Sequence, residues 1–297
     1  MAPARSFRMA LPPSYPIGRI LGYLGRDAES LTVQVDGHRF ALGLWLNGRP
    51  ALLRVEMGTG EARAALEGRR LPADAGDQAR DYLRRLLGLH ADPEPFERLV
   101  SASPRLAPLV AGRLGLRIPQ TPDLFDGLTW VIVGQQINLA FAYTLRRRLA
   151  ERAGVPVSEG LLAPPSAEAV ANLTVEELGR MQFSRRKAEY LIGAAQKIVT
   201  GELDLARLAT APPEEAEAGL VAVRGIGRWS AQYLMMRAFG LEDCVPVGDA
   251  GLVKGLARFF NLPDRPGEAE TLELMKPFAP YRSWATFHFW QSLMDFP

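Results

Sequence analysis

Residues 223–228 read Val-Arg-Gly-Ile-Gly-Arg and stand between two stretches of helical spacing, 213–223 and 229–239. Two glycines around one apolar residue let the backbone turn tightly and bring its N–H groups to one surface. The helix that follows at once points its positive end the same way. An anion placed there, such as a phosphate, meets several donors, with Arg224 and Arg228 adding charge on either flank. Further on, Val245-Pro246-Val247-Gly248-Asp249 holds one carboxylate in an apolar, Pro/Gly-punctuated loop before another helical segment. A phosphate-gripping hairpin followed by a lone aspartate is the equipment of an enzyme that acts on a nucleotide. Gly-Asp before a helix is also a common helix start. The two roles are compatible, because a carboxylate at a helix start is held rigidly.

Trp229 and Tyr233 are four apart on a helix and so share a face, where core packing is the ordinary role of such a pair. Lys254 lies about one turn past Asp249 and reads as a phosphate or carboxylate contact. Cys244 is the single cysteine; it excludes an internal disulfide, a Cys-ligated zinc and a four-Cys cluster within one chain, and is expected to pack. His38, His90 and His288 are scattered without metal-site spacing. The arginine run 146–148 and the basic run 185–187 could meet a nucleic-acid backbone, against the plainer reading of solvated helix faces. A net charge of +2 leaves that choice to local patches.

These residues must be positioned by a chain of 297 residues, long enough for two domains and a substantial core. Hydrophobic content of 47% and charged content of 23% fit a soluble globular protein. No apolar run nears the roughly 20 residues that span a bilayer. The basic N-terminal stretch 1–18 is too proline-broken for a signal peptide, so a cytoplasmic location without membrane contact is expected. Alternating runs at 31–35, 38–46 and 49–57, joined by Asp36-Gly37 and Asn47-Gly48, predict an antiparallel meander. An amphipathic helix follows at 75–87, and the proline-bearing stretch 90–95 reads as a connection. From Phe96 onward helical spacing dominates, in segments that include 104–114, 123–153, 184–200, 213–223, 229–239, 250–260 and 283–293. The expected architecture is an α+β N-terminal domain (1–95, antiparallel sheet with helices) followed by an all-α body in two halves, 96–210 and 211–297.

The hairpin Arg224-Gly225-Ile226-Gly227-Arg228-Trp229-Ser230-Ala231, with Asp249 after it, resembles the signature of the 3-methyladenine DNA glycosylase II family, within the helix-hairpin-helix-GPD superfamily. Further similarity lies in Leu21-Gly22-Tyr23-Leu24, in Gly134-Gln135-Gln136-Ile137, in Ser184-Arg185-Arg186-Lys187-Ala188 and in the C-terminal stretch 281–290. The resemblance implies a two-part helical body with a cleft, and a monofunctional DNA glycosylase of base excision repair. Such an enzyme flips an alkylated base out of double-stranded DNA and hydrolyses its N-glycosidic bond, leaving an abasic site. It implies Asp249 as the catalytic carboxylate facing oxocarbenium-like charge on the sugar. Trp229, Tyr233, Trp290 and Tyr23 would surround the cationic base. Gln136 would wedge into the vacated stack. Arg224, Gly225, Ile226, Gly227, Arg228, Ser230 and Lys254 would contact the DNA.

The same resemblance implies that hairpin carbonyls, of Val223 or Gly225 and of Ile226 or Arg228, can hold a monovalent cation, with no cofactor required for the reaction. Superfamily members that also cut the strand carry a lysine where Trp229 stands, and Arg228 cannot replace it as a nucleophile because its guanidinium stays protonated. Water is therefore the expected nucleophile, and a monomer suffices for one asymmetric lesion. Ala250 departs from the family, whose best-known members carry an aromatic after the aspartate, which implies a roomier pocket. An oxidised-purine glycosylase and a non-catalytic helix-hairpin-helix DNA-binding module are the competing readings.

Overall fold

The computed structural model describes residues 5–294; the first four residues of the basic N-terminal stretch and the last three of the chain lie outside the described residues. The chain forms two compact units. One takes the chain up to Leu87 together with Thr121–Ala206, the other Gly88–Gln120 together with the chain from Arg207 onward. The chain thus passes between the units at 87/88, 120/121 and 206/207, where the sequence reading draws boundaries after 95 and 210.

In chain order the elements begin with β1 (Arg5–Ala10), α1 (Ile17–Leu24), β2 (Val33–Asp36), β3 (Arg39–Leu46), β4 (Arg49–Gly58), β5 (Glu61–Gly68) and α2 (Ala75–Leu86). The second unit then contributes α3 (Glu94–Ser101). The first resumes with α4 (Leu124–Gly134), α5 (Leu139–Ala153), β6 (Val155–Ser158), β7 (Leu161–Ala163), α6 (Ala167–Ala171), α7 (Val175–Arg180) and α8 (Arg185–Val199). After α9 (Leu205–Thr210), the second unit holds α10 (Pro213–Val221), α11 (Arg228–Leu234), α12 (Ala250–Phe259), α13 (Glu268–Met275) and α14 (Arg282–Ser292).

The sheet is antiparallel throughout, in the order β1-β5-β4-β3-β2. Asn47 and Gly48 both take positive φ, 45° and 72°, which is the geometry of a tight two-residue turn between β3 and β4. Alternation then sends Phe40, Leu42, Leu44, Leu53, Val55, Ala64 and Leu66 into the core. The predicted meander is present as β2–β4, widened by β5 and β1.

Among the described residues the helical body departs from an all-α reading at one place, the ribbon β6–β7, which docks on the sheet of its own unit. Leu162 N–H donates to the Leu31 carbonyl at 2.7 Å, and Trp45 Nε1 donates to the Pro164 carbonyl at 2.7 Å. Gly43 on β3 makes that docking sterically feasible: a Cβ there would lie 2.2 Å from the Leu162 carbonyl oxygen. Gly43→Ala is therefore expected to destabilise the protein by about 2–3 kcal/mol, read as a fall in melting temperature. An unchanged melt would show that the ribbon can move away at no cost.

Segment 123–153 is two helices. Asp123 caps α4 through the Asp126 N–H at 2.9 Å, and Asn138 caps α5 through the Phe141 N–H at 2.9 Å. Between them Gln136 holds φ at 55°, in the left-handed region. In the second unit, α12 packs on α14 at Gly255, where a Cβ would lie 2.8 Å from Phe289 Cβ. Segment 104–114 forms only a three-residue 3-10 turn, Ala107–Leu109, because Pro104, Pro108 and Gly112 (φ 69°) interrupt it. No helix among the described residues is long and apolar enough to cross a membrane.

Candidate active site

The hairpin between α10 and α11 is closed by a hydrogen bond from Ile226 N–H to the Val223 carbonyl at 3.0 Å. Gly225 takes φ 93°, which a side chain would resist, and Gly227 is the extended N-cap of α11. Val223 and Ile226 are buried and anchor the turn, while Arg224, Gly227 and Arg228 are exposed at its tip. Arg228 is held by Glu217 on α10, its Nε donating to Oε1 at 3.0 Å. Ser230, expected among the DNA contacts, is buried at 2% exposure on the inner face of α11. Of the carbonyls expected to face a monovalent cation, that of Val223 accepts the Ile226 N–H.

After Leu234 the helix widens into a π-helical turn, Met235–Phe239, and ends at Gly240 with φ 83°. The chain then returns toward α11. Gln232 on α11 donates to Glu217 at 2.9 Å and accepts the Val245 N–H at 2.9 Å, so it fixes the start of the aspartate loop to the hairpin helix. Asp243 and Arg282 pair through two hydrogen bonds of 2.6 and 2.7 Å. Burial alone would raise the Asp243 carboxyl, but the bonds and charge of Arg282 outweigh it and hold it below the ordinary carboxylate range. Burial pushes the Cys244 thiol up to about 12, which fits its expected packing role. Gly248, with φ 84°, turns the chain into Asp249.

Asp249 is both a helix cap and the centre of a polar-aromatic cluster. Its Oδ1 accepts the Leu252 N–H at 2.8 Å and Trp290 Nε1 at 2.8 Å; its Oδ2 accepts Trp229 Nε1 at 3.3 Å. Three donors on two oxygens fix the carboxylate plane. Tyr233 stands between the two indoles, 5.6 Å from each ring centroid. The three rings thus line one wall beside the carboxylate, and all are partly exposed, unlike a sealed core. Three of the four predicted pocket aromatics converge on the predicted aspartate.

Gly251, one turn position from Ala250, is what lets Trp290 reach Asp249. A Cβ at Gly251 would lie 2.9 Å from Trp290 Cδ1 and 3.2 Å from Asp249 Oδ1. Neither this glycine nor the Gln232–Glu217 bridge is assigned from sequence. Gly-to-indole packing is a tertiary fact, and an amide 15 residues from its glutamate partner, across the hairpin, carries no spacing signal. Lys254 lies on the exposed side of α12. His288 is fully buried against Phe96, with ring centroids 5.1 Å apart, as a packed histidine.

The remaining predicted residues belong to the first unit. Tyr23 lies under the Arg26 guanidinium, 4.0 Å from the ring centroid, and Arg26 also stands over Trp130 and Tyr143 at 5.4 and 5.8 Å. Gln136 is exposed at the tip of the α4–α5 loop. The arginine run is largely engaged within the protein: Arg146 pairs with Asp126, Arg147 with Glu29, and Arg148 with Gln182. Of the second basic run, Arg185 pairs with Glu189, Arg186 is exposed, and Lys187 is buried.

The chain is 29% identical over 291 residues to "DNA-3-methyladenine glycosylase" of Bacillus subtilis, covering 96% of each chain. Its fold is similar to that of "3-methyladenine dna-glycosylase from Archaeoglobus fulgidus", with a TM-score of 0.84 at 23% identity over 98% of this chain and 99% of that one. A second similar fold is the Clostridium acetobutylicum "8-oxoguanine glycosylase/lyase in complex with dsDNA containing cytosine opposite to 8-oxoG", with a TM-score of 0.72 at 16% identity over 92% of both chains. Residues 129–280, which hold the α4–α5 loop, the hairpin and Asp249, match the family described as "HhH-GPD superfamily base excision DNA repair protein". The chain belongs to the HhH-GPD superfamily of base excision DNA repair proteins.

Proposed function

We propose that the protein is a monofunctional DNA glycosylase that hydrolyses the N-glycosidic bond of alkylated bases in double-stranded DNA and leaves an abasic site. The observation that carries this reading is the Asp249 carboxylate fixed by two indole N–H groups beside the Trp229–Tyr233–Trp290 wall. An alkylated purine is cationic and electron-poor, and aromatic faces attract it by stacking and cation–π contact. As the base leaves, positive charge builds on the sugar, and a fixed carboxylate stabilises it without having to reorganise. The hairpin N–H groups and Arg224 hold a backbone phosphate, Gln136 fills the gap left by the flipped base, and Lys254 contacts phosphate. Trp229 occupies the position of the lyase lysine, so water is the nucleophile. A monomer serves one asymmetric lesion, and a DNA substrate fits the cytoplasm.

The Clostridium acetobutylicum 8-oxoguanine glycosylase/lyase shares the fold, but the family resemblance puts the lysine of strand-cutting members where this chain carries Trp229. A passive DNA-binding module needs the hairpin, yet gains nothing from a carboxylate tethered between two tryptophans. The test uses end-labelled duplexes that each carry one lesion: 3-methyladenine, 7-methylguanine, ethenoadenine, hypoxanthine or 8-oxoguanine. We expect strand breaks at alkylated bases only after alkali. Breaks without alkali would overturn the monofunctional assignment, and tight duplex binding with no excision across the panel would favour the binding module.

A further inference from the structure

Lys187 lies in the first turn of α8, at 9% exposure, and no carboxylate pairs with it among the described residues. Its Nζ donates to the carbonyl of Val133 at 2.7 Å, a bond formed in the interior of the unit. Val133 is in the last turn of α4, whose terminal carbonyls have no partner within the helix and carry its negative end. An ammonium there satisfies an orphan acceptor and opposes the helix dipole at once. The cost is a buried charge, and burial lowers the Lys187 pKa accordingly.

The place where that cost is incurred gives it a purpose. Three residues beyond Val133 the chain reaches Gln136, which is exposed and held with φ at 55°. A non-glycine residue keeps such a backbone only when the surroundings over-determine it. On the far side Asn138 fixes the start of α5 through the Phe141 N–H. On the near side the last turn of α4 is held by Lys187, itself set by the Ser184 side chain, which accepts the Lys187 N–H and caps α8. The basic run 185–187 therefore does not act as a unit on a ligand: its third member faces inward.

We propose that Lys187 is a positioning residue for base excision, clamping the C-terminal turn of α4 so that the loop 135–138 presents Gln136 to the DNA. This rests on the glycosylase reading above and on the wedge role of Gln136 within it. A wedge matters most when the flipped base leaves a paired partner behind, because unpairing and unstacking must then be compensated. It matters least when the lesion faces an abasic-site analogue.

The experiment measures single-turnover base release from the panel lesion that the wild type excises fastest, placed opposite its normal partner and opposite a tetrahydrofuran abasic analogue. Lys187→Met, which keeps the unbranched stem and removes the ammonium, is expected to slow the paired substrate about tenfold and the abasic-paired substrate by less than about twofold. Lys187→Arg, which keeps a charged donor, should stay within about threefold on both. Gln136→Ala should share the selective loss, and the Lys187→Met/Gln136→Ala double variant should be no slower than the slower single variant, because both act through one loop. An equal loss on the two substrates, full paired activity in Lys187→Met, or multiplied losses in the double variant would overturn the clamp. A wild type that releases none of the lesions would instead overturn the glycosylase reading.

Discussion

Replacing Asp249 with asparagine is expected to lower single-turnover base release by about 10³-fold while leaving duplex binding and the melting temperature nearly unchanged. The magnitude follows from removing one preorganised electrostatic group aimed at developing charge. The separation follows from the geometry. Asp249 caps α12 through the Leu252 N–H, and asparagine caps a helix start as well as aspartate does. The hairpin is a separate turn, closed by its own bond between Ile226 and Val223. Asparagine keeps the cap through its oxygen but sets an amide N–H against Trp229 Nε1–H, so a melting temperature within about 2 °C of wild type, with activity lost, would assign the defect to the carboxylate site and not to the fold. An active Asp249→Asn variant would reduce the aspartate to a cap.

Gly251→Ala is expected to cost about 10²-fold in the same assay, although the alanine side chain is a single methyl group. That methyl would sit 2.9 Å from Trp290 Cδ1 and 3.2 Å from Asp249 Oδ1, inside contact distance of both. The indole must move, its 2.8 Å bond to Oδ1 is lost, and the wall it shares with Tyr233 opens. Misplacement of a catalytic group by about 1 Å can cost this much. Ala250→Gly, one position earlier, removes a methyl on the same turn and should leave the rate within about threefold, since it introduces no contact. If Gly251→Ala kept full activity, the Trp290–Asp249 bond would have no part in catalysis.

Much of this site is legible in the sequence, and the parts that are not have physical reasons. Trp229 and Tyr233 share a face by helical spacing, Gly225 and Gly227 mark a tight turn, and Gly248-Asp249 marks a helix start. The approach of Trp290 from α14 comes with the family pattern, since no periodicity links residues 41 apart. Gly251, Gln232 and Lys187 are silent because their work is set by what packs on them.

The fold follows the same rule. Asn47-Gly48 announces its hairpin, whereas β5 is rich in alanine and β1 adjoins a proline pair, so neither has strong strand character. Pro93 and Pro95 read as a linker, yet proline at the first positions is how α3 begins. The break between α4 and α5 falls at the short stretch Gln135-Gln136-Ile137-Asn138, with no proline to mark it, and is made by the Asn138 cap and the left-handed Gln136.

The most direct test of the central claim is to detect the released base itself. Wild-type protein would be incubated with methylated duplex DNA, the small-molecule fraction analysed by mass spectrometry, and the strands kept from alkali. The account predicts free methylated purine, intact strands bearing abasic sites, and no free base above background from Asp249→Asn. Strand scission that accompanies base release, or base release undiminished in Asp249→Asn, would contradict it.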